Sequence, residues 1–144
     1  METTIKSIAE LERFAKEFLE KLTANDNGAT VVGLSGELGS GKTAFVKAVA
    51  KALGVKEEVL SPTFVIAKFY KIPQQVSWPR LVHVDAYRIE DPCELKALKW
   101  QGISKNPRNL VFIEWPENIK TLFPTDALML TFRFIDETTR MISS

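Results

Sequence analysis

The sequence predicts an α/β domain on a mostly parallel central sheet with antiparallel edge strands, and three observations lead there. Short Val/Ile/Leu runs of the kind buried on both faces alternate with segments of helical period. Two of those runs, Leu81–Asp85 and Leu110–Glu114, end in an acid. A third leads through a glycine-rich turn straight into a helical segment. With 144 residues and 16.2 kDa the chain allows one domain, residues 1–144, with no repeat, linker or low-complexity stretch.

Thr3 to Lys6 reads as extended. Ser7 with Glu10 three residues later is a capping box, and Ile8, Leu11, Phe14, Ala15, Phe18, Leu19 and Leu22 then recur at helical spacing. The polar stretch Ala24–Gly28 ends that helix, and Ala29 to Leu34 reads as a buried strand. After the glycine-rich turn a second helix spans Lys42 to Leu53, stopped by Gly54. Phe64 to Ile72, Leu81 to Ala86 and Leu110 to Glu114 read as strands. Asp91-Pro92 supplies an N-cap and a first-turn proline for a helix through about Lys99. Pro116 and Pro124 bracket a loop or helical turn. Asp126 to Ile135 alternates, with Leu128, Leu130, Phe132 and Phe134 on one face, as an antiparallel or edge strand does.

The turn itself carries chemistry. Gly36-Glu37-Leu38-Gly39-Ser40-Gly41-Lys42-Thr43 fits the phosphate-loop pattern of Gly, four residues, then Gly-Lys-Thr, in the strand-to-helix context that the motif requires. Its glycines let backbone N–H groups turn inward around phosphate oxygens, and the following helix points its N-terminal dipole at them. Lys42 would reach the β- and γ-phosphates and the Thr43 hydroxyl would ligate Mg²⁺.

Such a site also needs a carboxylate at a neighbouring strand end, for the metal or its water. Asp85 and Glu114 both qualify, since ligands of open α/β sheets bind beyond the carboxyl ends of strands; spacing does not rank them. His83, two residues before Asp85, reads as a packed, hydrogen-bonded histidine in preference to a catalytic base. Trp115 is balanced between core packing and a place against the site. Cys93 is most simply structural. Ser61-Pro62-Thr63-Phe64 is an extended entry into the next strand, with hydroxyls of the kind that contact a γ-phosphate or metal in phosphate-loop switches.

Composition narrows the classes. Nineteen Lys+Arg against eighteen Asp+Glu argue against a protein whose main work is gripping nucleic acid through a broad basic face. The single cysteine excludes an internal disulfide, no Cys/His cluster suits zinc, and the apolar runs are too short for a membrane span. With no charged-then-apolar leader before Ser7, the expectation is a soluble, cytoplasmic protein.

Taken together, the phosphate loop, Ser61-Pro62-Thr63-Phe64, His83-Val84-Asp85-Ala86-Tyr87-Arg88 and Ile113-Glu114-Trp115-Pro116-Glu117 resemble the bacterial TsaE (YjeE) family, the small ATPase of tRNA threonylcarbamoyladenosine synthesis. Order and spacing match over residues 1 to about 120. The resemblance implies a three-layer P-loop NTPase fold, ATP and Mg²⁺ as ligands, and catalytic roles for Lys42, Asp85 and Glu114. By the same resemblance Thr43 and Glu114 hold the metal, Asp85 assists at it or its water, and the Ser61–Thr63 loop behaves as a switch. Nucleotide contacts would come from residues 36–43, Thr63, Trp115 and Arg140, with Lys6 to Ile8 lying where the family brings its N-terminus towards the adenine. Partners would be TsaD and TsaB, with tRNA reached indirectly through them. The chain departs from the family at Ala44, where a second hydroxyl residue is usual, and in a C-terminal segment with only Arg133 and Arg140 as basic residues.

Two other readings compete. A small-molecule P-loop kinase needs an acceptor pocket and usually an arginine-bearing lid, whereas the six arginines are scattered and no long insertion exists. A nucleotide sensor without hydrolysis is disfavoured by the intact Lys42, Thr43, Asp85 and Glu114 set.

Overall fold

The structure is a computed structural model, and it describes residues 1–60, 66–73 and 77–144. Seven strands and three α-helices follow in the order β1 (Glu2–Ile5), α1 (Ile8–Lys21), β2 (Thr30–Ser35), α2 (Lys42–Ala52), β3 (Ala67–Lys71), β4 (Arg80–Asp85), α3 (Trp100–Ser104), β5 (Asn109–Glu114), β6 (Leu128–Asp136) and β7 (Thr139–Ser143). Two 3-10 segments, Pro92–Leu98 and Pro116–Leu122, complete the set.

All seven strands form one sheet in the order β1-β7-β6-β2-β5-β4-β3. β6, β2, β5 and β4 run parallel, while β3 pairs antiparallel with β4 at one edge and, at the other, β7 pairs antiparallel with both β6 and β1. The parallel centre follows from the crossovers: β2, β5 and β6 are each entered from a helical segment, and burial on both faces demands the unbroken apolar runs of β2, β4 and β5.

Helices α1 and α2 cover one face. The capping box forms as the spacing predicts: Ser7 Oγ accepts from the Glu10 N–H at 3.1 Å, and the Glu10 carboxylate accepts from the Lys6 N–H at 3.2 Å. The heart of this layer is Phe45, whose ring meets Phe14, Phe18, Phe112 and Phe132 at 5.5–5.9 Å between centroids. On the opposite face Leu95, Trp100, Ile103 and Ile119 pack on Val82, Val84, Val111 and Ile113. Helical layers on both sides of the sheet make three layers in all.

Three elements differ from the sequence reading. The segment begun by Asp91 is capped as expected, Asp91 Oδ1 accepting from the Cys93 N–H at 3.0 Å, but it winds as a 3-10 segment. It ends at Lys99 as the sequence reading expects, and there the chain turns left-handed (φ 57°) into the short helix α3, which that reading did not contain. β6 is not an edge strand, since it pairs in parallel with β2 and antiparallel with β7. Of its alternating residues only Leu130 and Phe132 are buried; Leu128 and Phe134 remain 47% and 46% exposed, the Phe134 ring lying under the Arg140 guanidinium at 4.5 Å. β7 itself was not foreseen. A turn at Glu137-Thr138, in which Asp136 Oδ1 accepts from the Thr138 N–H at 2.9 Å, folds it back on β6. The strand expected over Phe64–Ile72 is described from Ala67 to Lys71, and its first two residues lie outside the described residues.

Candidate active site

The site lies at the carboxyl ends of β2, β4 and β5, where α2 begins. β2 ends at Ser35, and the chain turns through Gly36 (φ 146°), Gly39 (φ 78°) and Gly41 (φ 106°), all conformations that favour glycine, before entering α2 at Lys42. Gly36 has a second constraint, because a Cβ there would lie 2.4 Å from the Phe132 carbonyl oxygen and 2.7 Å from Ser40 Oγ. Gly36→Ala is therefore expected to cost about 1–3 kcal/mol of stability. Urea unfolding checks this, and an unchanged midpoint would contradict it.

Lys42 is 4% exposed. Its Nζ donates to the carbonyls of Gly36 and Glu37, the latter at 2.9 Å, and sits 4.2 Å from the centroid of the Trp115 ring. Burial pushes the Lys42 pKa below the usual ammonium value, opposed by the carboxylates of Glu114, Glu117, Asp85 and Glu37. The loop thus holds its cation inward, ready for anionic oxygens. Ser40 Oγ is buried there with no hydrogen-bond partner.

The parallel β4–β5 register sets Asp85 directly opposite Glu114. Both side chains project to the α2 side, as Leu81 does two pleats before Asp85 and Phe112 one pleat before Glu114. Thr43 Oγ1 lies 3.0 and 2.9 Å from the two oxygens of Glu114, a carboxylate 4% exposed. His83, fully buried, places Nε2 2.6 Å from Glu114 Oε2, with Nδ1 unpartnered. The expectation of a packed, hydrogen-bonded histidine holds. Asp85 Oδ1 accepts from the Tyr87 N–H at 3.0 Å.

Trp115 sits against the site. Its backbone is left-handed (φ 62°), a strained state for a non-glycine residue, anchored by its N–H on the Leu34 carbonyl at 3.2 Å and followed by Pro116, which opens the next 3-10 segment. That turn lays the indole beside Lys42, with the Tyr87 ring 5.0 Å away. Arg140 on β7 arrives at the loop, its Nε donating to the Gly39 carbonyl at 3.1 Å and its guanidinium held by the carbonyls of Asp136 and Thr139. Arg88 is exposed at the cleft wall and makes no salt bridge among the described residues. Together these groups enclose a cleft of about 690 Å³ bounded by Leu38–Ala44, Asp85, Glu114 and Trp115.

Of the residues that the sequence singled out, the structure brings Leu38–Thr43, Asp85, Glu114, Trp115 and Arg140 together around this cleft, with Gly36 and Glu37 meeting Lys42 through their carbonyls; Ser61 and Thr63 lie outside the described residues. Glu117 and Tyr87 went unremarked. Glu117 accepts from Ser35 Oγ at 2.7 Å and adds to the negative field at Lys42; both residues sit inside the motif blocks, but only the fold brings them to the loop. The donor chemistry suits magnesium. Thr43 and Glu114 offer hard oxygens of the kind that would hold such a cation. A smaller cleft of about 330 Å³ adjoins through Ser40, Gly41 and Arg140, walled by Ile5, Lys6, Ile8 and Phe132.

A family model described as threonylcarbamoyl adenosine biosynthesis protein TsaE matches residues 5–142. The chain is 34% identical over 141 residues to the tRNA threonylcarbamoyladenosine biosynthesis protein TsaE of Rickettsia typhi, covering 97% of this chain and 91% of that one. Against the protein of the same name from Aquifex aeolicus it is 34% identical over 144 residues, covering 99% and 96%. Among solved structures, that of YdiB from Bacillus subtilis superposes with a TM-score of 0.68 at 26% identity, over 99% of this chain and 82% of the other.

Proposed function

The chain belongs to the TsaE family of tRNA threonylcarbamoyladenosine biosynthesis, which has the P-loop NTPase fold, and from that premise we propose that it is a Mg²⁺-dependent ATPase acting in the cytoplasm on the TsaB–TsaD complex. The observation that carries this reading is the convergence of Thr43 Oγ1 on both oxygens of Glu114 beside the inward-held Lys42. A hydroxyl, a carboxylate and an ammonium at one strand end are what a metal–triphosphate site requires.

Lys42 exchanges its carbonyl partners for β- and γ-phosphate oxygens, and the loop N–H groups and the α2 N-terminus take the remaining negative charge. Thr43 and Glu114 hold Mg²⁺, which when bound neutralises charge developing on the transferred phosphoryl group. His83 keeps the Glu114 carboxylate turned towards Thr43. Asp85, opposite Glu114 and part-exposed, orients the attacking water. Water forms the new bond to the γ-phosphorus as the bond to the β–γ bridging oxygen breaks. Thr63 contributes a switch hydroxyl and Trp115 and Arg140 line the bound nucleotide, with the adenine in the adjoining apolar cleft.

The γ-phosphoryl transition state needs one more positive group. Arg88, exposed at the cleft wall without an ion pair among the described residues, is placed to be pressed in by a partner. The isolated protein is expected to hydrolyse ATP slowly, the TsaB–TsaD pair to raise the rate, and Arg88→Ala to remove most of that stimulation. Steady-state phosphate release with and without the pair measures this. Fast partner-independent turnover, or phosphorylation of a small metabolite, would instead favour the kinase reading.

A further inference from the structure

The near-neutral net charge hides a strong asymmetry. Residues 66–84 and 95–113 hold seven of the nineteen Lys and Arg and not one Asp or Glu, leaving twelve basic against eighteen acidic residues elsewhere. These acid-free segments build β3, α3 and most of β4 and β5, and they meet at the amino-terminal ends of β4 and β5, the pole of the sheet opposite the phosphate loop.

A groove of about 360 Å³ opens there. The antiparallel register sets Lys71 opposite Arg80, and Phe69 lies one pleat away on the same face, 44% exposed. Arg80 Nε donates to Asn109 Oδ1 at 2.8 Å, and the fully buried Asn109 is in turn fixed by its amide on the Ile103 carbonyl at 3.0 Å. The guanidinium carbon lies 5.0 Å from the Phe69 ring centroid. Arg80 is thus held through one nitrogen and one flat face, with its two terminal nitrogens making no hydrogen bond among the described residues. Lys71 and Arg108 line the same groove, and none of the three makes a salt bridge among the described residues.

Fixed cations beside an exposed aromatic ring are the combination that takes a single-stranded polynucleotide, phosphates on the cations and a base on the ring or guanidinium. An acidic protein surface would engage the cations, but the ring and guanidinium planes beside them are the stacking faces that an unpaired base uses. We propose that this groove binds a single-stranded segment of RNA directly; RNA rather than DNA follows from the family's place in tRNA modification.

Fluorescence anisotropy of a labelled twelve-nucleotide oligo-uridine, titrated with the full chain between roughly 20 and 200 mM salt, tests this. Three phosphate contacts predict a log–log salt slope of about −2, and Arg108→Gln, on the exposed turn before β5, should reduce its magnitude by about 0.7. Arg80→Gln should do the same, with thermal unfolding reporting whether its fold is intact. Phe69→Ala should weaken binding about fivefold or more with the slope unchanged, and Lys42→Ala should bind as the parent does. No binding at low salt, or full binding by both arginine variants, would overturn the proposal. So would displacement by poly-glutamate together with an inert Phe69→Ala, which would mark an acidic protein partner. Oligo-thymidine binding tighter than oligo-uridine would overturn the assignment to RNA.

Discussion

ATP affinity is expected to fall a hundredfold or more in Lys42→Ala. The Nζ would meet phosphate oxygens in a pocket where it is 4% exposed, and charge-assisted hydrogen bonds of this kind contribute about 1.5–3 kcal/mol each. Two such bonds lost correspond to at least two decades in affinity. The parent's two carbonyl contacts, to Gly36 and Glu37, are surrendered on binding and reduce the net effect, but they are neutral acceptors and weaker than phosphate. Isothermal calorimetry with ATP and a non-hydrolysable analogue measures the loss. Lys42→Met keeps the aliphatic stem against Trp115 and separates loss of charge from loss of packing. Parent-like ATP affinity in either variant would remove the phosphate-loop assignment.

The second large effect belongs to Glu114→Gln, which keeps shape and one carbonyl oxygen but removes the charge that holds a divalent cation. Hydrolysis is expected to drop at least a hundredfold, while ATP still binds through the loop and Lys42. Both oxygens of Glu114 face Thr43 and one also faces His83 at 2.6 Å, so an amide NH₂ in place of either oxygen also disturbs the local polarity. Phosphate release as a function of Mg²⁺ concentration reads the effect. An unchanged rate would transfer the metal role to Asp85, and Asp85→Asn, expected to slow turnover too, supplies the comparison.

Local spacing made much of this site legible. The eight-residue loop, the two acid-tipped strands and the capping box are each written within a few consecutive positions, and each folds as its spacing predicts. What escaped the reading depends on distant segments. β7 carries a mixed polar pattern that becomes a strand only because β6 and β1 lie on either side of it, and Arg140 reaches Gly39 only through that pairing. The stack of Tyr87, Trp115 and Lys42 joins three separate elements and rests on a left-handed tryptophan that no residue preference announces. The short helix α3, which lies beyond the expected helical run, likewise starts from a left-handed residue, Lys99. The charge asymmetry is invisible to the overall sum because the acid-free segments are offset by acidic residues elsewhere.

The edge of the sheet bears on how the molecule assembles during synthesis. Ile5 pairs with Arg140, so the β1–β7 ladder joins segments from near the two ends of this sequence and must wait until β7 has left the ribosome. The guanidinium that contacts the phosphate loop arrives with that same strand. A nascent chain can thus lay down the β2–α2 loop and the β4–β5 pair early, yet the wall of the cleft that Arg140 provides closes only as the last strand docks. Closure of this side of the cleft and docking of β7 are then one event, and a ribosome-bound chain stalled short of β7 carries a loop that lacks the side Arg140 provides.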